Sequence, residues 1–245
     1  MPVPWGGPPF STTVISSRRL TPHTLGITIR KPQGFSFLPT QFTFLSLKTD
    51  EGEDTRPMSI ATSPTRPDLE YAVRQSSSSF KRAFASLKPG DRVSLQGPFG
   101  RFLLQEDRPA VLLAGGIGIT PLKGMAEYAS DKGLRIPVRL VYSNHSHKEV
   151  AFQAELDELA KRNPNFQVFQ TLSGETPRGW AGSKGRIGER HLCDVTEGLE
   201  LPVYYVCGKP EMVFEMQRLL SGMGVPPSDV MLEVFRGYSG PSPRS

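Results

Sequence analysis

The chain has 245 residues, with 29 Lys and Arg against 24 Asp and Glu, a net charge of +5 and a hydrophobic fraction of 37%. That length buries a real core and suits one large domain or two of ordinary size. No stretch approaches the roughly 18 apolar residues of a membrane-crossing helix, and two cysteines, Cys193 and Cys207, are too few for a disulfide framework or a four-thiolate metal or iron–sulfur site.

Met1 to Pro9 has neither a basic start nor an apolar run, so a secretory signal is not expected and a cytoplasmic setting is. From there to about Gln105 the chain reads as strands and turns. Thr24–Ile29, Phe42–Leu47 and Arg92–Leu95 alternate with period two, and Lys31-Pro32, Pro89-Gly90-Asp91 and Gly97-Pro98 punctuate them. Many short strands predict an antiparallel sandwich or barrel. One helix interrupts them after the Ser76–Ser79 run, with Ser78 or Ser79 as N-cap before Phe80-Lys81-Arg82-Ala83-Phe84.

The pattern changes at about Glu106 to Arg108. Val111–Ala114 is continuously apolar, as a strand covered on both faces would be. Thr120 as N-cap and Pro121 at the first helical position then predict a helix whose buried face carries Leu122, Met125, Ala126 and Ala129. Strands follow at Val138–Tyr142, Phe166–Thr171 and Val203–Cys207. Helices are expected around Phe152, Leu156 and Leu159 and from Glu211, the latter burying Met212, Met216 and Leu219. Strand–helix alternation of this kind predicts a parallel sheet with helices on both faces. The division expected is residues 1–105 as a β-barrel and 106–245 as an α/β domain.

Three segments carry chemistry. Arg56-Pro57-Met58-Ser59 offers a guanidinium fork and a small hydroxyl, the groups that hold a phosphate and a ring nitrogen. Gly115-Gly116-Ile117-Gly118-Ile119-Thr120-Pro121 joins a buried strand to a helix, the context of a dinucleotide-phosphate turn. Cys207-Gly208-Lys209-Pro210 ends a later strand and turns into a helix, and Glu233-Val234-Phe235 follows near the C-terminus. As a buried small residue at a strand end, Cys207 would need no function of its own.

In this order the segments resemble the ferredoxin–NADP reductase family over roughly Thr13 to Tyr238. The resemblance implies a two-domain protein: an antiparallel Greek-key β-barrel for FAD, then a parallel α/β domain for NADPH or NADH. It implies that hydride passes between nicotinamide and flavin across the interdomain cleft and that electrons then leave singly.

By the same resemblance Arg56 binds the flavin phosphate, Met58 stands where the family's ring-covering tyrosine does, and Ser59 lies by the reactive flavin nitrogen. Pro57, the strand Ala72-Val73-Arg74 and the helix start Ser78-Ser79-Phe80 complete the flavin site, with Ser77 replacing an Asp of bacterial members. Gly115, Gly116, Gly118, Thr120 and Pro121, then Ser143 and Asn144, then Gly208 and Pro210 hold the nicotinamide nucleotide. Ser59, Cys207, Glu233 and Phe235 are the implied catalytic set.

No acid precedes Glu149 in Ser143–Lys148, and His145, His147 and Lys148 suit a 2′-phosphate, so NADPH is expected over NADH. FMN is an open alternative to FAD. The partner expected is a separate, acidic redox protein met by a basic monomer; ferredoxin, flavodoxin, a ferric chelate and an oxygenase component all fit. Nucleic acid is not expected, because the basic residues are dispersed without interleaved aromatics. The alternatives are an electron-input subunit of a larger oxygenase, hydrogenase or membrane redox complex, and a flavin-binding module without turnover.

Overall fold

Residues 7–235 are described by a computed structural model. The first half holds six strands, β1 (Phe10–Thr21), β2 (Thr24–Arg30), β3 (Phe42–Thr49), β4 (Gly52–Ser59), β5 (Asp68–Arg74) and β6 (Arg92–Phe99), with helix α1 (Ser79–Ser86) between the last two. They form one curled sheet in the order β4-β3-β6-β1-β2-β5, antiparallel at every pairing. Alternation explains the curl: Val14, Ile27, Ile29, Leu45, Leu47, Leu69, Tyr71, Val93 and Leu95 turn inward and bury a common core with Phe80 and Phe84 of α1. The edges β4 and β5 are not paired with each other, so the barrel is open along the two strands that carry Arg56–Ser59 and Ala72–Arg74.

The second half contains β7 (Ala110–Gly115), α2 (Ile119–Asp131), β8 (Val138–Asn144), α3 (Gln153–Arg162), β9 (Phe166–Leu172), β10 (Ser183–Lys184), α4 (Glu189–Thr196), β11 (Val203–Gly208), α5 (Pro210–Gly222) and β12 (Val230–Val234). The sheet order is β10-β9-β8-β7-β11-β12, and every pairing is parallel. α2 and α3 bury Leu122, Met125, Ala126, Leu156 and Leu159 against one face. α4 and α5 bury Leu192, Val195, Val213, Met216 and Leu220 against the other. Covered on both sides, β7 and β11 are continuously apolar, as the sequence predicted.

Three local expectations need correction. Thr120 is not an N-cap: a 3₁₀ turn over Gly116–Gly118 leads straight into α2 at Ile119, with Gly118 in the cap position. The Thr120 hydroxyl donates instead to the Ile117 carbonyl at 3.1 Å, so Thr120 and Pro121 lie inside the first turn. In α5 the fully buried face is Val213, Met216 and Leu220, leaving Met212 and Leu219 at its margin. The helix begins a residue earlier than expected, at Pro210. Ser78 does occupy the cap position of α1, but its side chain makes no capping bond.

Candidate functional site: the cleft between the barrel opening and the parallel sheet

On the barrel side, strand alternation decides which groups can meet a ligand. β4 pairs with β3 so that Thr43 faces Met58 and Phe42 faces Ser59. Thr43 is fully buried and hydrogen-bonded to the Tyr71 hydroxyl at 2.9 Å, and Met58, 9% exposed, shares that inner core. Met58 therefore fills the barrel, although the family resemblance assigned it to cover a ring. Pro57 is exposed on the outer face, and Ser59 is partly exposed with its hydroxyl hydrogen-bonded to no other described residue. Arg56 is mostly buried and paired with Asp54 at 2.9 Å.

Cations gather at the far end of the opening. Arg74, closing β5, reaches Glu149 across the cleft at 3.3 Å. Lys81, in the first turn of α1, is half-buried; burial and then the neighbouring Arg74 push its ammonium pKa down. Two like charges side by side at a helix start whose cap side chain is unused form an anion-binding arrangement, and the diphosphate of a dinucleotide fits its chemistry. Lys81 was not among the residues singled out from the sequence, though its place two residues past Ser79 on a short helix was a readable signal. Ala72 and Val73 are buried, Ala72 in the same cluster as Ala114 and Cys207 of the parallel domain.

On the nucleotide side, the predicted motifs converge at the C-terminal ends of β7, β11 and β12. A Cβ added at Gly118 would stand 2.3 Å from the Cys207 carbonyl oxygen and 2.8 Å from the Gly208 Cα. Gly118 is thus required by the backbone of the other motif. A Cβ at Gly115 or Gly208 would meet the Met212 sulfur at 3.0 or 2.8 Å, so that thioether covers both glycines. Of the four motif glycines Gly115, Gly116, Gly118 and Gly208, only Gly116 combines a left-handed φ of +52° with open space beyond its Cα, and it is the one free for close approach by a ligand. The buried Tyr142 hydroxyl donates to the Gly116 carbonyl at 3.0 Å and accepts from the Ala151 amide at 3.3 Å, which fixes the turn. Pro210 opens α5 behind Gly208.

Cys207 is wholly buried, opposite Glu233 on β12. Burial, and secondarily Glu233, raise its thiol pKa well above the ordinary value, so it is a neutral packing group. Burial likewise raises the Glu233 carboxyl pKa. The Phe235 amide donates to the Gly208 carbonyl at 2.8 Å, which ties the third segment to the second. The 3₁₀ turn itself approaches β5, so both halves of the predicted site face one cleft.

Past β8, the His145 ring packs against Gly174, whereas His147 stacks edge-on with Trp180 at 5.5 Å. Ser143 is partly buried and Asn144 buried at the strand end. A cavity of about 520 Å³ opens there between α3 and the 177–182 loop, lined by His147, Gln153, Asp157, Gln170, Arg178 and Trp180 among others. Arg178 and Trp180 lie in a stretch the sequence reading left without a role.

The open antiparallel barrel and the motif-bearing parallel sheet define a two-domain fold of the ferredoxin–NADP reductase type. Residues 112–218 match the oxidoreductase NAD-binding domain family. The Vibrio cholerae nitric oxide dioxygenase FAD/NAD-binding domain superposes with a TM-score of 0.82 at 18% identity, covering 92% of this chain and 98% of that one. The Neisseria gonorrhoeae ferredoxin NADP+ reductase, solved with bound FAD and NADP, gives 0.78 at 21% identity, covering 92% and 98%.

In sequence the chain is 28% identical over 232 residues to the toluate 1,2-dioxygenase electron transfer component of Pseudomonas putida, covering 92% of this chain and 67% of that protein. It is 35% identical over 188 residues to a subunit of the Na(+)-translocating NADH-quinone reductase of Idiomarina loihiensis, covering 73% and 44%. The chain thus has the ferredoxin–NADP reductase-like fold, with a match to the oxidoreductase NAD-binding domain family over residues 112–218. It spans less than half the length of the quinone reductase relatives it matches.

Proposed function

We propose that the chain is an NAD(P)H-dependent flavin oxidoreductase that supplies electrons to a separate acceptor. The observation that carries this reading is the meeting of Gly116, Gly208 and Phe235 with the open β4–β5 edge in one cleft. A bound FAD would supply the capacity to accept hydride from a nicotinamide and to give up electrons one at a time.

Arg56, Arg74, Lys81 and the amides opening α1 hold the flavin's diphosphate by charge and hydrogen bonds. Ser59 offers a hydroxyl that has no hydrogen-bond partner among the described residues. The Gly116 turn and the N-terminus of α2 take the nucleotide's diphosphate, with Gly208 and Pro210 at its flank. Glu233, whose carboxyl pKa is raised by burial, stands at the nicotinamide end of the cleft. Cys207 excludes water and supports the Gly118 contact. Arg74 engages Glu149, the first acid after β8, leaving His147, Lys148 and Arg178 to meet the far ribose, which favours NADPH.

The test is direct. The purified chain should hold one FAD, and NADPH added without oxygen should bleach it. A chain that binds no flavin, or that keeps its flavin oxidised with both nicotinamides, refutes the reading.

A second reading, an input subunit of a larger complex, is favoured by one observation. Relatives that the chain matches include a dioxygenase electron transfer component and a subunit of a Na(+)-translocating quinone reductase. A stoichiometric partner retained through purification would decide for it. In either case the net charge of +5 favours an acidic acceptor surface.

A further inference from the structure

The two halves of the molecule meet along one face of α2. Lys123, Gly124, Glu127 and Asp131 fall within a narrow arc of that helix, and each engages the segment from Ile60 to Arg66, which leaves the flavin strand β4 directly after Ser59. The Lys123 ammonium donates to the Ala61 carbonyl at 3.1 Å and to Glu70 on β5 at 3.4 Å. Glu127 accepts from the Ser63 amide at 2.8 Å and from Arg66 at 2.9 Å. Asp131 accepts from the Thr65 hydroxyl at 2.6 Å and from Arg66 at 3.3 Å. Between these rungs Gly124 lets the backbones touch: an added Cβ would stand 3.0 Å from the Thr62 carbonyl oxygen.

The charges at the centre of this ladder are buried, beside a cavity of about 250 Å³ that Arg66, Glu70, Lys123 and Glu127 help to line. Lys123 is 5% exposed and Glu70 4%. The ammonium also sits 5.2 Å from the centre of the Phe152 ring, and Arg18 of β1 pairs with both Glu70 and Glu155 of α3. Buried charges of this kind add little net stability over well-packed apolar groups, but they permit one register only, because any shift leaves a charge unpaired. Lys123 lies three residues past Thr120, and Ala61 two residues past Ser59. A displacement at the seam is therefore carried through a helix start and a strand end, both stiff, into the cleft.

We propose that this face of α2 is a clamp that sets the spacing between the flavin motif and the nicotinamide turn, with Lys123 and Gly124 as its positioning residues. The proposal rests on the flavin reductase reading for its chemical consequence, though not for its structural one. Relative position matters because a misplacement of about 1 Å between reacting groups costs roughly 10²-fold in rate.

The test compares Gly124→Ala, which wedges the seam without changing charge, with Lys123→Met and with Lys123→Arg, which keeps the cation. Amide exchange over residues 60–66 is measured first, on each chain without added nucleotide. Flavin reduction by saturating NADPH and the long-wavelength charge-transfer absorbance of the flavin–nicotinamide complex are measured second. The clamp predicts roughly tenfold faster exchange at Ser63 in the Ala and Met variants, with flavin retained. It also predicts a reduction rate lowered by about 10²-fold, a weakened charge-transfer band and an unchanged KM. Lys123→Arg should lie close to the parent in every readout.

A folded, flavin-loaded Gly124→Ala chain with the parent's rate and band overturns the proposal. If the parent chain itself is not reduced by either nicotinamide, the functional reading fails, and the clamp is then judged by exchange alone. Unchanged protection of residues 60–66 in both Gly124→Ala and Lys123→Met overturns it.

Discussion

On the barrel side of the cleft the recognition groups are cations, Arg56, Arg74 and Lys81, set around the gap between β4 and β5. On the nucleotide side they are glycines, and those glycines do different work. Gly118 makes room for the Cys207 carbonyl, Gly115 and Gly208 make room for the Met212 thioether, and Gly116 alone faces open space. A charged site tolerates loss of one member by degrees, since each contact contributes its own increment. A site made of missing atoms fails according to what the added atom strikes. The two sides should therefore respond to mutation in different ways.

Gly118→Val gives the largest effect. A side chain 2.3 Å from a backbone oxygen cannot be accommodated by rotamer change, so the loss should exceed about 4 kcal/mol, the exceptional range for a point change. Urea unfolding, or failure to obtain soluble protein, would register it. Nicotinamide binding lost from a chain of parental stability would contradict the packing role. Arg56→Ala should leave the fold intact and weaken flavin binding by about 1.5–3 kcal/mol, the worth of a hydrogen bond to a charged group. Titration of the flavin-free chain measures this, and unchanged affinity would remove Arg56 from the site.

Met58→Tyr sharpens the contrast within the barrel. Because Met58 faces Thr43 in the core, the larger ring should overpack it and cost about 1–3 kcal/mol in stability. A stable variant with a shifted flavin potential would instead restore the ring-covering role that the family resemblance implies. Gly116→Ala is smaller: the left-handed backbone there should cost about 1–2 kcal/mol. Calorimetry should show weaker NADPH binding with flavin content unchanged.

Glu233→Gln is the smallest. Burial raises the folded carboxyl pKa above its unfolded value, so the unfolded chain releases its proton first and stability falls as pH rises through that window. The variant should therefore match the parent below the ordinary carboxylate range and exceed it at neutral pH. Urea unfolding at both pH values measures the difference, and a variant less stable than the parent at neutral pH would contradict it.

Much of this was readable from the chain. The period-two strands, the apolar β7 run and the helix faces of α2 and α3 follow from patterning that packing then enforces, and the three motifs lie where the strand ends bring them together. The internal assignments within motifs were less legible. Thr120 and Pro121 look like a cap and a first helical residue, but a 3₁₀ turn at Gly116–Gly118 starts the helix earlier. Whether Met58 points inward depends on its register with Thr43, a long-range fact with no local signature. Lys123 and Tyr142 were passed over for the same reason, because their partners, Ala61 and Gly116, lie far away in sequence.

The central claim is that the two sides of the cleft form one hydride path. Anaerobic stopped-flow reduction of the flavin-loaded chain, using NADPH carrying deuterium or hydrogen at the transferring C4 position, tests it most directly. The account predicts rapid bleaching of the flavin bands, slowed by deuterium. Flavin that stays oxidised with NADPH and with NADH, yet bleaches with dithionite, would contradict it.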